Sequence, residues 1–351
     1  MRNGAYVPRC AEGERSLAHG SQDDQADRST MPLIKLFIAI ITIAAALSGI
    51  GQPARSQEVG WPRTIRHAAG ELTLARKPLR IVSTTPSVTG ILLAIEAPLL
   101  ASTATTPSPL TDAKGFFSQW AGDADKRGVK VLYPNLKFDI EAVLGWKPDL
   151  VIASTTGADS ILQHRAELEA LGVPTLVVDY SSRSWQELAG ELGQATGWEK
   201  EAAAAIARFD ADLAAAAAAI AAKSRKASIV GYNIAGSYSV ARIASPVSKL
   251  VSALGFEVVG LPAELRPNSA RPSDFEFFSR ENLSAAIAAD TVFLLRATDK
   301  DVEAFLAEPV LANHPAVTGK RVYPLGLTSF RIDPYSGRQI IERLRESFAR
   351  R

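Results

Sequence analysis

Three arginines, Arg242, Arg296 and Arg331, are the side chains of this chain best suited to hold a ligand. A guanidinium grips a flat, delocalised anion through paired hydrogen bonds and also stacks on aromatic rings. Two aromatic residues, Tyr238 and Phe330, lie close to these arginines in sequence, and the hydroxyls of Thr84, Thr105 and Thr155 could complete a polar wall. A lone arginine is more often an ordinary surface residue. Arg331 stands out because it sits between Phe330 and Ile332 in a strand-to-helix loop. Two carboxylates form a separate pair. Glu141 and Glu281 each open a helix that runs into an apolar strand, Leu150-Val151-Ile152 after the first and Val292-Phe293-Leu294-Leu295 after the second. A carboxylate in a first helical turn is favoured by the helix dipole, and that local role is enough to account for both.

Other chemistries fit less well. Gly236-Ser237-Tyr238-Ser239-Val240 begins like a nucleophile elbow, but Val240 replaces the last glycine and no partnered histidine is suggested. A naked metal ion needs clustered ligands, whereas His67, His164 and His314 are isolated and His19 lies near the N-terminus. No glycine-rich phosphate loop follows the first strand. The net charge of +2 and the lack of any basic run argue against nucleic acid. The residues read as a binding site and not as a catalytic centre, with no resident cofactor.

The elements that would position these groups alternate between strand and helix. The expected strands are Arg80–Thr84, Leu99–Thr103, Asp149–Ser154 and Pro174–Tyr180, followed after a break by Ser228–Ile234, Phe256–Val259 and Arg321–Leu325. Ser87 is the expected cap of a helix over Val88–Ile95. A hairpin or polar lead-in is expected over Trp61–Lys77. The pattern predicts an α/β fold with largely parallel sheets, built as two Rossmann-like lobes, 57–196 and 225–351. An alanine-rich helix bridges them within 197–224. Ligands of such sheets sit beyond the carboxyl ends of the strands. Those ends carry Thr84, Thr105 and Thr155 on one side and Tyr238, Arg242, Arg296, Phe330 and Arg331 on the other. A single helix resists large hinge bending, so a cleft with limited closure is expected.

The N-terminal stretch speaks about compartment. An apolar run, Leu36–Ile50, follows Lys35 and is followed by Ala54-Arg55-Ser56, with small residues where a signal peptidase looks. Cleavage after Ser56 is expected. Met31 is the expected start, because Met1–Thr30 carries Arg2, Arg9, Arg15 and Arg28 against five acidic residues, an unsuitable balance for a signal. The run is short for a membrane span. The only cysteine, Cys10, precedes it, so neither a lipid anchor nor a disulfide is expected in the exported chain.

The mature chain resembles the periplasmic binding proteins that serve ABC importers of iron siderophores and cobalamin, a helical-backbone class. The residues carrying the likeness include Trp61-Pro62-Arg63, Arg80–Thr84, Leu92–Pro98, Ala104–Pro107, Pro148–Ile152, Pro315-Ala316-Val317 and Thr328–Ser336. The resemblance implies capture of a ferric siderophore, an enterobactin-like catecholate, with iron entering only as part of the cargo. Arg331 falls on the class's cleft arginine. A tryptophan and an arginine that contact ligand in these relatives fall near Ala241 and Pro109 and are not kept, which leaves Arg242 and Arg296 to supply positive charge. Glu141 and Glu281 match the acidic pair, one per lobe, that meets arginines of the inner-membrane permease. The implied protein is a periplasmic monomer. Cobalamin and haem remain alternative cargoes within the class, and a naked metal is a weaker one.

Overall fold

The computed structural model describes residues 60–220, 225–266 and 273–349. The signal segment, Cys10, His19 and the expected cleavage site lie outside the described residues. Residues 57–351 form one compact unit. It opens with an antiparallel hairpin, β1 (Arg63–His67) and β2 (Gly70–Leu74). The first sheet is wholly parallel, in the order β5-β4-β3-β6-β7, from β3 (Ile81–Ser83), β4 (Leu99–Ser102), β5 (Lys130–Val131), β6 (Leu150–Ser154) and β7 (Thr175–Val178). Its helices are α1 (Pro86–Ala94), α2 (Ser118–Lys126), α3 (Ile140–Gly145), α4 (Arg165–Ala170) and α5 (Trp185–Thr196). The bridging helix α6 spans Glu199–Ile220.

The second sheet departs from the expected parallel pattern. Its strands are β8 (Lys226–Ile234), β9 (Ser237–Ala241), β10 (Glu257–Val258), β11 (Phe275–Phe278), β12 (Val292–Leu294) and β13 (Val322–Pro324). β10, β12 and β13 run parallel to β8, but β9 turns straight back on β8 and β11 pairs antiparallel with β9. The turn Ala235-Gly236 supplies the left-handed backbone that a tight reversal needs, with φ of 51° and 82°. The elbow-like serine motif is therefore a hairpin. Helices α7 (Pro246–Ala253), α8 (Leu283–Ala286), α9 (Asp299–Leu306), α10 (Pro315–Thr318) and α11 (Pro334–Ala349) complete this lobe.

Burial explains why the strands read as unbroken apolar runs. In β6, Leu150 and Ile152 face the large central core, whereas Val151 and Ala153 face a separate one. In β8, Ile229 and Val230 divide in the same way. Both faces of each sheet are covered, so alternation is apolar on both sides. The central core runs through both lobes. Phe209 of α6 is its pivot: fully buried, it meets Trp185 of α5 at 4.9 Å. Gly337 of α11 lets that helix approach so closely that a Cβ there would strike the Phe209 ring. Lys249 of α7 adds an ion pair to Glu187 of α5, 2.8 Å across the lobes. No helix among the described residues is long and apolar enough to cross a membrane.

One cap differs from expectation. Thr85, not Ser87, is the N-cap of α1, because Pro86 takes the first helical position where its fixed φ is pre-organised. Ser87 lies one residue inside, and its hydroxyl is free for another partner.

Candidate functional site

The lobes meet around Arg331. It leaves a 3-10 turn at Leu327–Phe330 and is largely buried, its side chain 24% exposed. Its Nε donates to Ser87 Oγ at 3.2 Å, and its Nη1 donates to Asp274 Oδ2 at 3.0 Å and to the Phe330 carbonyl at 3.1 Å. The guanidinium lies over the Tyr180 ring, 4.8 Å from its centroid. Ser87 and Tyr180 belong to the first lobe, and Asp274 and Arg331 to the second. The cavity left beside Arg331 is about 10 Å³, lined by Ser87, Tyr180, Asp274, Phe275 and Phe330 among others, and would hold one water at most.

A second layer fixes these groups. The Tyr180 hydroxyl donates to Asp159 Oδ1 at 2.6 Å, and Thr85 Oγ1 donates to the other carboxylate oxygen. Gly157, at φ 86°, allows this approach, since a Cβ would fall on the Tyr180 hydroxyl. Burial and the neighbouring Asp159 carboxylate push the Tyr180 phenol up, keeping it neutral. Burial also pushes the Asp274 carboxyl up, and the Arg331 charge only partly offsets it. The pair is thus costly to keep desolvated, as buried pairs commonly are.

The expected site residues separate into groups. Phe330 and Arg296 stay together: the Arg296 guanidinium lies 5.6 Å from the Phe330 centroid. Arg296 is half-buried in a left-handed conformation, φ 53°, and its main-chain N–H donates to Ser329 Oγ. Burial lowers its affinity for a proton. Arg242 and Arg296 do not converge, because β9 is antiparallel. Val240 and Leu294 share a rung across Val230. Arg242 lies two residues beyond that rung in one direction and Arg296 two residues beyond it in the other, about 13 Å apart along the strands. Arg242 instead sits beside Asp274, donating its main-chain N–H to the Asp274 carbonyl at 2.9 Å. Its Nε is buried without a hydrogen-bond partner among the described residues.

Two of the expected residues are structural. Tyr238, 9% exposed, packs edge-on to Tyr232 at 5.8 Å in the second lobe's own core, because the reversed β9 turns it to that face. Thr84 is 1% exposed and its hydroxyl donates to the Ile152 carbonyl, tying β3 to β6. Thr105 is half-buried with its hydroxyl on the Gly115 carbonyl, and Thr155 is half-buried at the end of β6. The hydroxyl wall is therefore supplied by Ser87 and Tyr180. Asp274 and Ser87 are the Arg331 contacts that sequence reasoning missed. Their separations from Arg331, 57 residues for Asp274 and 244 for Ser87, left no local signal.

Glu141 and Glu281 are both exposed. Asp139 caps α3 by accepting from the Ala142 N–H at 3.0 Å, so Glu141 has no capping duty. Glu281 lies in a 3-10 turn, Arg280–Asn282, before the four-residue α8. Its own backbone N–H and the Ser279 hydroxyl hold its carboxyl below the usual range. No group of three or more potential metal ligands is found among the described residues.

The family model described as periplasmic binding protein matches residues 81–326. The chain is 39% identical over 314 residues to the ferric enterobactin-binding periplasmic protein FepB of Escherichia coli O6:H1 (strain CFT073), covering 88% of this chain and 97% of the relative. Among solved structures it is similar to holo-ViuP, with a TM-score of 0.76 and 38% identity, covering 82% of this chain and 96% of that one. The ferrichrome complex of PiaA from Streptococcus pneumoniae TIGR4 shares the fold, with a TM-score of 0.64 at 18% identity, covering 82% and 97%.

Proposed function

The chain belongs to the periplasmic binding protein family, and on that premise we propose that it is the periplasmic substrate-binding component of an ABC importer for a ferric catecholate siderophore of the enterobactin type. The observation that carries this reading is the 39% identity to a ferric enterobactin-binding protein across nearly all of that relative. The cleft agrees in chemistry. A ferric tris-catecholate is a flat-ringed anion, and Arg331, Tyr180, Phe330 and Arg296 offer positive charge and aromatic faces where the lobes meet. The protein binds and hands over; it does not turn substrate over. It keeps no cofactor of its own, since iron comes and goes with the cargo. It works as a monomer released into the periplasm by cleavage after about Ser56, and it presents Glu141 and Glu281 to the inner-membrane permease.

Cobalamin or haem is the second reading, favoured only by the breadth of the class. Cobalamin lacks the strong negative charge that a buried arginine would reward. Tryptophan-fluorescence titration of the Gln57–Arg351 protein with ferric enterobactin, cyanocobalamin and haemin separates them. Saturable quenching by the ferric catecholate alone, at submicromolar concentration (roughly 8 kcal/mol or better), is expected. Quenching by a control alone would replace the cargo.

A further inference from the structure

The Arg331 guanidinium is engaged by the protein at Nε, at Nη1 and on one of its two faces. Asp274 takes Nη1, Ser87 takes Nε, and Tyr180 lies beneath the plane. The Asp274 side chain is only 12% exposed, so water screens the pair weakly. Its carbonyl is held by the Arg242 N–H, and it immediately precedes β11, which fixes its backbone at the edge of the cleft. The cavity of about 10 Å³ leaves no room for an anion to join the pair. A cargo that bonds the Nη1 edge of Arg331 must take the place of Asp274.

That exchange has a charge rule. A singly charged ligand regains only what it breaks, and it strands a carboxylate in a poorly solvated place. A triply charged ligand gains more from the same guanidinium than the carboxylate loses, once the Asp274 side chain has swung clear of the ligand. We propose that Asp274 is a specificity-determining residue, an internal anion that only a multiply charged cargo displaces from Arg331. Neutral and singly charged chelates are refused by the protein's own competitor, a form of selection against wrong partners. The inference rests on the reading of this cleft as a siderophore site.

The test compares wild type, Asp274→Asn, Arg331→Ala and the double variant, each with an unchanged circular-dichroism spectrum, titrated with ferric enterobactin. Asp274→Asn removes the charge and keeps the shape. It should raise affinity about tenfold, the equivalent of one lost charge-assisted contact. The gain should vanish in the Arg331→Ala background, which a general loosening of the cleft would not do. If Asp274→Asn binds no tighter while Arg331→Ala binds more weakly, the inference fails and the siderophore reading stands. A gain that persists without Arg331 also overturns it. Should wild type and Asp274→Asn both ignore ferric enterobactin, the reading and the inference fall together.

Discussion

Phe330 meets Phe117 edge-to-face where the two lobes join, with 4.9 Å between ring centroids and 87° between planes. Phe117, from the loop before α2, also packs on Trp120 at 5.9 Å, and Phe330 carries Arg296 on its face. An aromatic chain thus runs from the first lobe's core to a cleft arginine. Phe117 is buried and Phe330 half-buried. Phe117→Ala should cost about 3 kcal/mol in urea unfolding, and Phe330→Ala about 1–2 kcal/mol. The double variant should fall short of their sum by about 0.5–1.5 kcal/mol, the usual coupling of such a ring pair. Strict additivity would mean that the rings contribute separately.

Asp333 makes the interlobe joint sensitive to pH. It is buried; Oδ1 accepts from the N–H groups of Tyr335 and Ser336 at the start of α11, and Oδ2 accepts from Gln119 Nε2 at 3.3 Å in the first lobe. Burial pushes its carboxyl up to about 6, against an ordinary 3.8. The folded state therefore holds the proton more tightly than the unfolded chain. The resulting stabilisation is complete below about pH 4 and is lost as pH rises through about 6. Relative to Asp333→Asn, wild type should gain on the order of 2–3 kcal/mol between pH 7.5 and pH 4. Parallel melting curves for the two proteins across that range would rule this out.

Gly157→Ala should damage the shelf under Arg331. The residue has φ 86°, and its Cβ would collide with the Tyr180 hydroxyl and crowd Asp159. The expected loss is about 1–3 kcal/mol. Adding Tyr180→Phe should recover part of it, because the hydroxyl is what the Cβ strikes. Thermal melts of the single and double variants decide whether the clash or the backbone strain dominates.

The exposed carboxylates predict a separation of transport from binding. Glu141→Arg and Glu281→Arg together should abolish siderophore uptake in cells that depend on this protein, while ferric enterobactin affinity stays within about twofold, since exposed charges at an interface rim act on encounter and orientation. The single change at Glu141 should lower the melting midpoint only slightly, by the loss of a dipole interaction of about 0.3–1 kcal/mol, as Asp139 keeps the capping hydrogen bond. Loss of affinity in either variant would point to a folding defect.

Much of this architecture was legible in the residues. The β-branched pairs Ile81-Val82 and Val151-Ile152 marked strands that are buried in the structure, and Ser184 before Trp185–Thr196 and Gly197 after it bound that helix. The reversal of β9 was not legible. Ser237–Val240 alternates serine with an apolar residue, a pattern that fits a strand of either direction, so the direction depends on β8 and β11, not on its own composition. That one reversal moved Tyr238 into a core and set Arg242 apart from Arg296. Thr84 failed for a related reason. A hydroxyl at a strand end can face a cleft or a neighbouring carbonyl, and only the position of Ile152 settled which.

Local chemistry in the sequence determined the two α/β lobes and the bridging helix and singled out Arg331 as a candidate, because strand burial, capping and loop position are written in neighbouring residues. The tertiary structure alone decided what Arg331 touches. Asp274, Ser87 and Tyr180 reach it from distant points on the chain, and Asp159 fixes Tyr180 from behind. Contacts of that kind exist only once the two sheets share a core around Phe209, and no residue pattern along the chain encodes the distance between them.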